Sequence, residues 1–276
     1  MMAMMKAAAQ QQGSSPFNDD YRDACITSGA VGLWMLDETT GTTAVDQGTA
    51  GVDGTYYGQL ATSASRGVRS AFNIPLAGCS ATDSGTSGNG FRNGVVSVAS
   101  NSAFATELQV PGGAMSWEWV GIVDHAPAVT YSYWLKHYSS GFGANIGPMA
   151  YVRETATGSF TNWQWQKSSG GNYGIAHPAL ADQAIGVATH NVITFSTNSS
   201  QDYLRWYRNG VRVVNYYKAS MVQINGVASP IYIGGLGTNS SYWPTYGLPG
   251  AMGGVAMYDY ALSQTDVTTH YNALLT

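Results

Sequence analysis

Residues 202–217 read DYLRWYRNGVRVVNYY. Apolar and polar residues alternate on both sides of Asn209–Gly210. Asn-Gly is the pair best suited to a two-residue turn in which both central residues take positive φ. A period of two is a strand signal, because helix faces repeat every 3.6 residues. The stretch predicts a hairpin with strands over 202–208 and 211–217. A lone hairpin is not stable in water, so the fold needs more strands. Alternating or β-rich segments recur at 32–36, 94–98, 114–123, 131–138, 149–153, 160–166, 191–196, 230–234 and 253–260. Gly-, Ser- and Asn-rich stretches such as SATDSGTSGNG separate them. Many short strands with little helix predict an all-β chain, folded as a two-sheet antiparallel jelly-roll sandwich.

Helical spacing occurs only near the two ends. Ser15 reads as an N-cap with Pro16 at the first helical position. A short N-terminal helix through Tyr21, Ala24 and Cys25 then ends near Gly29. Near the C-terminus, Ser263 with Asp266 three residues on forms a variant capping box. Val267, Tyr271 and Leu274 follow at helical spacing and predict a short helix over one end of the sheets. Ahead of the first helix, residues 1–15 read as a flexible arm. Its tip carries Met1, Met2, Met4 and Met5, an adaptable apolar surface for docking or a free tail. The expected division is a docking segment over 1–29, with Phe17 and Tyr21 beside the methionines as partner-docking residues, and a sandwich over 30–276.

Composition bounds the function. A chain of 276 residues buries on the order of 75% of its unfolded surface, so it needs neither disulfides nor metal to fold. Charged residues make up 10% of it, against roughly 25% in ordinary soluble domains. A weakly charged polar surface suits a subunit of an assembly, or one facing neutral sugars. The net charge is −4 and the basic residues form no stripe, which excludes a nucleic-acid-binding role. No apolar run reaches the ~18 residues of a membrane span, so no membrane insertion is expected. MMAMMKAAAQQQ lacks the layout of an export signal, so synthesis in a cytoplasm is expected. Cys25 and Cys79 are the two cysteines; spacing leaves open whether they pair.

Three stretches, taken in order, resemble the laminin-G-like branch of the concanavalin A-like lectin/glucanase superfamily. The first holds Trp34, Leu36, Asp37, Glu38, Gly41, Thr42, Thr43, Asp46, Gly54 and Gly58; the second is LRWYRNGVRV; the third is GAMGGVAMYDYALSQTDVTTHY, with Tyr258, Ala261, Leu262 and Ser263 in register. MSWEWVGI is similar to an inner strand of that family, with Glu118 at its Glu position. The resemblance covers about residues 30–276. It implies a concanavalin A-like jelly roll used mostly for binding or adhesion, and no single ligand. Where relatives often carry Asp–Glu before the last strand, this chain has Gly253–Gly254.

Asp37, Glu38 and Asp46 are a weak calcium candidate, since oxygen ligands and a Gly-rich loop suit that ion. The favoured reading is a strand end whose carboxylates accept backbone N–H bonds. Glycoside hydrolysis needs two carboxylates about 5–9.5 Å apart. Glucanases of this fold are recognised by an E-x-D-x-x-E strand, whereas the strand here reads Glu118-Trp119-Val120-Gly121-Ile122 with no second acid before Asp124. The chain is therefore expected to be non-catalytic. None of His125, His137, His177, His190 and His270 has metal spacing, and each reads as a surface or hydrogen-bonded residue. Tyr242, Trp243 and Tyr246 in a loop, and Trp163 and Trp165 alternating on one face, are the glycan-stacking candidates. The expected role is a structural or adhesive component of a phage particle (capsid decoration, fibre or tail). It would join other virion proteins through its arm, as a homo-oligomer or on a symmetric lattice, and meet cell-surface glycans. The alternative is a free or secreted bacterial carbohydrate-binding module, located outside the cell; a glycoside hydrolase is third. No cofactor is expected beyond the calcium candidate.

Overall fold

A computed structural model describes residues 19–38, 40–58, 69–72, 74–76, 94–101, 104, 113–123, 132–137, 147–155, 158–166, 172–176, 186–197, 202–218, 230–235, 237–238, 247–248 and 250–276. In chain order the elements are α1 (Asp19–Thr27), β1 (Gly32–Trp34), β2 (Thr43–Ala44), β3 (Gly54–Gly58), β4 (Arg69–Ala71), β5 (Ile74–Leu76), β6 (Gly94–Val98), β7 (Ala114–Val123) and β8 (Ser132–His137). They continue as β9 (Gly147–Thr155), β10 (Gly158–Gln166), β11 (Asn172–Ala176), β12 (Thr189–Thr197), β13 (Asp202–Arg208), β14 (Val211–Lys218), β15 (Ile231–Ile233), β16 (Gly250–Tyr258) and α2 (Gln264–Ala273). Two large sheets form, both antiparallel. One has six strands in the order β1-β16-β7-β12-β13-β14, and the other has eight in the order β11-β10-β9-β8-β15-β6-β3-β2. β4 and β5 make a separate small ribbon. No helix among the described residues is long and apolar enough to cross a membrane.

The hairpin forms as its sequence predicts. Asn209 and Gly210 have φ of 48° and 76°, and β13 pairs with β14 from Asp202↔Lys218 to Arg208↔Val211. The C-terminal helix begins with both halves of the capping box: Asp266 N donates to Ser263 Oγ, and Ser263 N donates to Asp266 Oδ2 at 2.8 Å. α1 closes at Gly29, whose φ is +74°; Ser15 and Pro16 lie outside the described residues.

Alternation along β7 organises the interior. Met115, Trp117, Trp119 and Val123 join the core between the sheets, with Trp34, Trp134 and Trp206. Gly121 faces that core, where a Cβ would meet the Trp134 ring at 2.2 Å, so the glycine makes room for the indole. Ser116, Glu118, Val120 and Ile122 point the other way. That outer face is covered too: Tyr21 and Cys25 of α1, Ile74 of β5, and Val267 and Leu274 of α2 pack on Leu33, Val120, Val192, Tyr207 and Tyr258. The sheet is therefore buried on both faces around β1, β16, β7 and β12, where the helices form a third layer, while the β14 edge stays open on the outer side. Tyr21 donates from its OH to Gly254 O at 2.9 Å. Gly254 has φ +56°, and a Cβ there would lie 2.7 Å from the Tyr21 ring. The Gly253–Gly254 departure noted in the sequence is thus the seat of this tyrosine, at a bulge between Gly253 and Ala256.

Candidate functional site

The Asp37–Asp46 stretch is a turn cross-bonded by its own carboxylates. Asp46 Oδ1 accepts from Leu33 N and Gly48 N, and its Oδ2 from Val52 N, each at 2.8 Å. Glu38 accepts from Val45 N at 2.6 Å and from Tyr56 OH at 2.5 Å. Burial pushes the carboxyls of Glu38 and Asp46 upward, opposed by these hydrogen bonds. Asp37, half-buried beside them, is also shifted up by burial. These carboxylate oxygens serve backbone N–H groups and a tyrosine.

A second cluster lies on the outer face of the six-stranded sheet, and sequence reasoning missed it. β7 turns Glu118 toward the helices, opposite Val192 of β12 and Ala256 of β16. His190, two residues before Val192, shares that face. His270 comes from the buried side of α2, with Val267 and Leu274. His190 Nε2 lies 2.7 Å from Glu118 Oε1, and His270 Nδ1 lies 2.9 Å from Oε2. Tyr258 donates to Oε2 at 3.0 Å. The other nitrogen of His270 meets Ser28 Oγ at 2.8 Å. Glu118, His190 and His270 are all fully buried. The rings stack as well: His190 on Tyr271 at 6.0 Å and 18°, and His270 on Tyr258 at 6.0 Å and 27°. Tyr21 meets His190 edge-on.

Opposing forces set the charges. Burial pushes Glu118 up, but the facing His270 and His190 outweigh it and hold the carboxyl well below the ordinary range. Burial lowers His270, and the Glu118 charge and hydrogen bond raise it above its ordinary value. Burial raises the Tyr21, Cys25 and Tyr258 protons strongly, and Glu118 adds to it. The cluster joins β7, β12, β16 and α2, and reaches Ser28 just past α1. Of the two sequence readings for the histidines, surface or hydrogen-bonded, positions 190 and 270 take the hydrogen-bonded one. Cys25, a free and buried cysteine, offers its sulfur within 4.8 Å of Glu118 and His270 ligand atoms. This is a donor set that zinc accepts, yet both carboxylate oxygens already have hydrogen-bond partners. Sealed from solvent and holding one carboxylate, the cluster cannot perform two-acid hydrolysis.

The other expected residues fall as follows. Tyr21, read from the sequence as a partner-docking residue, is buried within its own chain because its ring fills the space above Gly254. Met1, Met2, Met4, Met5, Phe17, Cys79, Tyr242, Trp243 and Tyr246 lie outside the described residues. On β10 the register pairs Trp163 with Ala150, a core residue, and Trp165 with Pro148. Exposed aromatics among the described residues include Tyr57 on β3 and Tyr216 and Tyr217 on β14.

The family model for laminin G domains of the concanavalin A-like lectin/glucanases superfamily matches residues 124–268. No curated protein sequence matches the chain. Among solved structures, similar ones include the binding domain of botulinum neurotoxin DC in complex with rat synaptotagmin II, at 13% identity and TM-score 0.58, covering 90% of this chain and 52% of that one. A structure on the dependence of botulinum neurotoxin type C cell entry upon interaction with two ganglioside molecules has the same identity, coverage and score. The serotype D ligand-binding domain in complex with N-acetylneuraminic acid follows at 11% identity and TM-score 0.55, covering 90% of this chain and 52% of that chain. The chain thus spans about half the length of these binding domains, and the likeness is one of fold.

Proposed function

The chain belongs to the concanavalin A-like lectin/glucanase superfamily, and from that premise we propose that it is a non-catalytic, glycan-binding adhesion module carried on a phage particle. The observation that carries the non-catalytic half is Glu118. It is the one acid on the strand nearest to a glucanase acid pattern, and here it is sealed and committed to two histidines. Glycan recognition is supported by the lectin-like sandwich and by solved structures of similar fold named for ganglioside and N-acetylneuraminic acid ligands. Those names belong to domains nearly twice as long. Tyr242, Trp243, Tyr246, Trp163 and Trp165 are the stacking residues of this reading.

The particle reading is supported by a surface of unusually low charge and by the Met-rich arm. In it the arm joins other virion proteins as a homo-oligomer or on a symmetric lattice, and the sandwich meets cell-surface glycans. The free or secreted carbohydrate-binding module is the competing reading. On a glycan array, Trp243→Ala weakens binding while the melting curve stays unchanged; equal binding by the variant rejects the loop. Deleting residues 1–18 leaves α1 and its core contacts in place. It removes the protein from purified particles while glycan binding persists; full retention on the particle rejects the docking role.

A further inference from the structure

We infer that the outer face of the β13–β14 hairpin is a subsite for a carboxylate-bearing sugar, formed by Arg205, Tyr203, Tyr217 and Asn215. This rests on the glycan-binding reading and names an acidic ligand class and a place for it. The register aligns these positions. Arg205 pairs with Asn215, and Tyr203 with Tyr217. Arg205 also pairs through β12 with Thr194, which pairs with Ser116. Ser116 bonds Tyr260 O and Leu262 N beyond the sheet, so this row faces outward, away from the inter-sheet core. The four residues lie on the part of that face nearest the free edge of the sheet.

Three features there suit an anionic sugar. The Arg205 guanidinium lies over the Tyr203 ring at 5.1 Å from its centroid, which holds the fork flat and preorganised. No ion pair involving Arg205 exists among the described residues, where the ion pairs are those of Arg22 and of the two histidines. A planar, half-buried guanidinium with open donors binds a carboxylate through two parallel bonds. Tyr217 is 61% exposed, and an exposed tyrosine offers a flat apolar face to the C–H side of a sugar ring at low entropic cost. Asn215 is exposed between them and can both donate to and accept from sugar hydroxyls. In the adjoining row, Thr194 is buried with a hydroxyl that has no hydrogen-bond partner. A neutral sugar would leave the Arg205 fork unused, so charge sets the preference.

The test uses the full chain and two matched pairs of sugars that differ by acid content: methyl β-glucuronide against methyl β-glucoside, and sialyllactose against lactose. Amide shifts are followed by NMR. The acidic member of at least one pair binds about tenfold or more tighter, with shifts confined to 194, 203–205 and 215–217. Arg205→Gln abolishes the preference, and Arg205→Lys restores part of it because charge remains without the fork. Tyr217→Ala, at a surface position that leaves the core untouched, weakens acidic and neutral members alike. Equal affinity within both pairs overturns the subsite, as does a preference that survives Arg205→Gln. If Trp243→Ala removes binding and the hairpin variants do not, the subsite fails and the lectin reading stands. If no sugar shifts any amide and the glycan array is blank as well, both fail.

Discussion

Two groups of carboxylates do opposite kinds of structural work in this sandwich. Asp46 and Glu38 organise a turn by accepting backbone N–H groups 2 to 13 residues away. Glu118 accepts from side chains that lie 72, 140 and 152 residues away. The first arrangement is local and less deeply sealed, with Asp46 6% exposed and Glu38 half-buried, and the second is fully sealed. A local acceptor shapes one loop. A sealed one links a strand, a neighbouring strand and the last helix into a unit, and removing it leaves two imidazoles and a phenol without their acceptor. Burying polar groups costs little while every partner is present and a great deal when one is missing.

The contrast sets an order of effects. Glu118→Gln keeps the shape and removes the charge, and should cost about 3–5 kcal/mol, a fall in melting temperature of roughly 10 °C. A variant melting with the wild type would erase the distinction between the two carboxylate groups. Asp46→Ala orphans three backbone donors and should cost about 2 kcal/mol, measured by urea unfolding. A loss as large as that of Glu118→Gln would show that burial is not what separates them.

A pH series sharpens the same comparison. The folded His270 pKa is raised, so its link to Glu118 contributes fully below the unfolded value of about 6.5 and is lost as pH rises through the folded value. The folded Glu118 pKa is depressed, so its contribution holds from about 4.5 upward and is lost only in strong acid. Stability relative to His270→Gln should therefore be level near pH 5–6 and decline toward alkaline pH. A flat difference across pH 5–9 would mean that the His270 charge contributes nothing. The smallest effect belongs to the exposed capping box: Ser263→Ala should cost about 1 kcal/mol by thermal melting, and no cost would show that α2 is held by its buried face alone.

What the sequence disclosed follows the same division. β7, β13 and the hairpin turn stand where alternation and Asn209–Gly210 put them, because those signals are local. The Asp46 turn was legible for that reason too. β2, β4 and β5 escaped because two or three residues carry no period. The Glu118 cluster escaped because its members are scattered along the chain and each looks ordinary alone. One signal was available: His270 falls three residues after Val267 and four before Leu274, on the apolar stripe of α2. A polar residue on such a stripe needs a buried partner, and Glu118 between two core tryptophans was the acid in want of one.

The hydroxyl of Thr276 donates to Asp20 at 3.0 Å. The first turn of α1 and the last residue thus meet on the helical layer, on the side of the six-stranded sheet opposite the inter-sheet core. Labels placed at Asp19 and at Thr276 therefore sit at one common pole. A short bridge from Thr276 to a chain begun at Asp19 would yield a circularly rearranged polypeptide, opened at another loop, with both helices still seated.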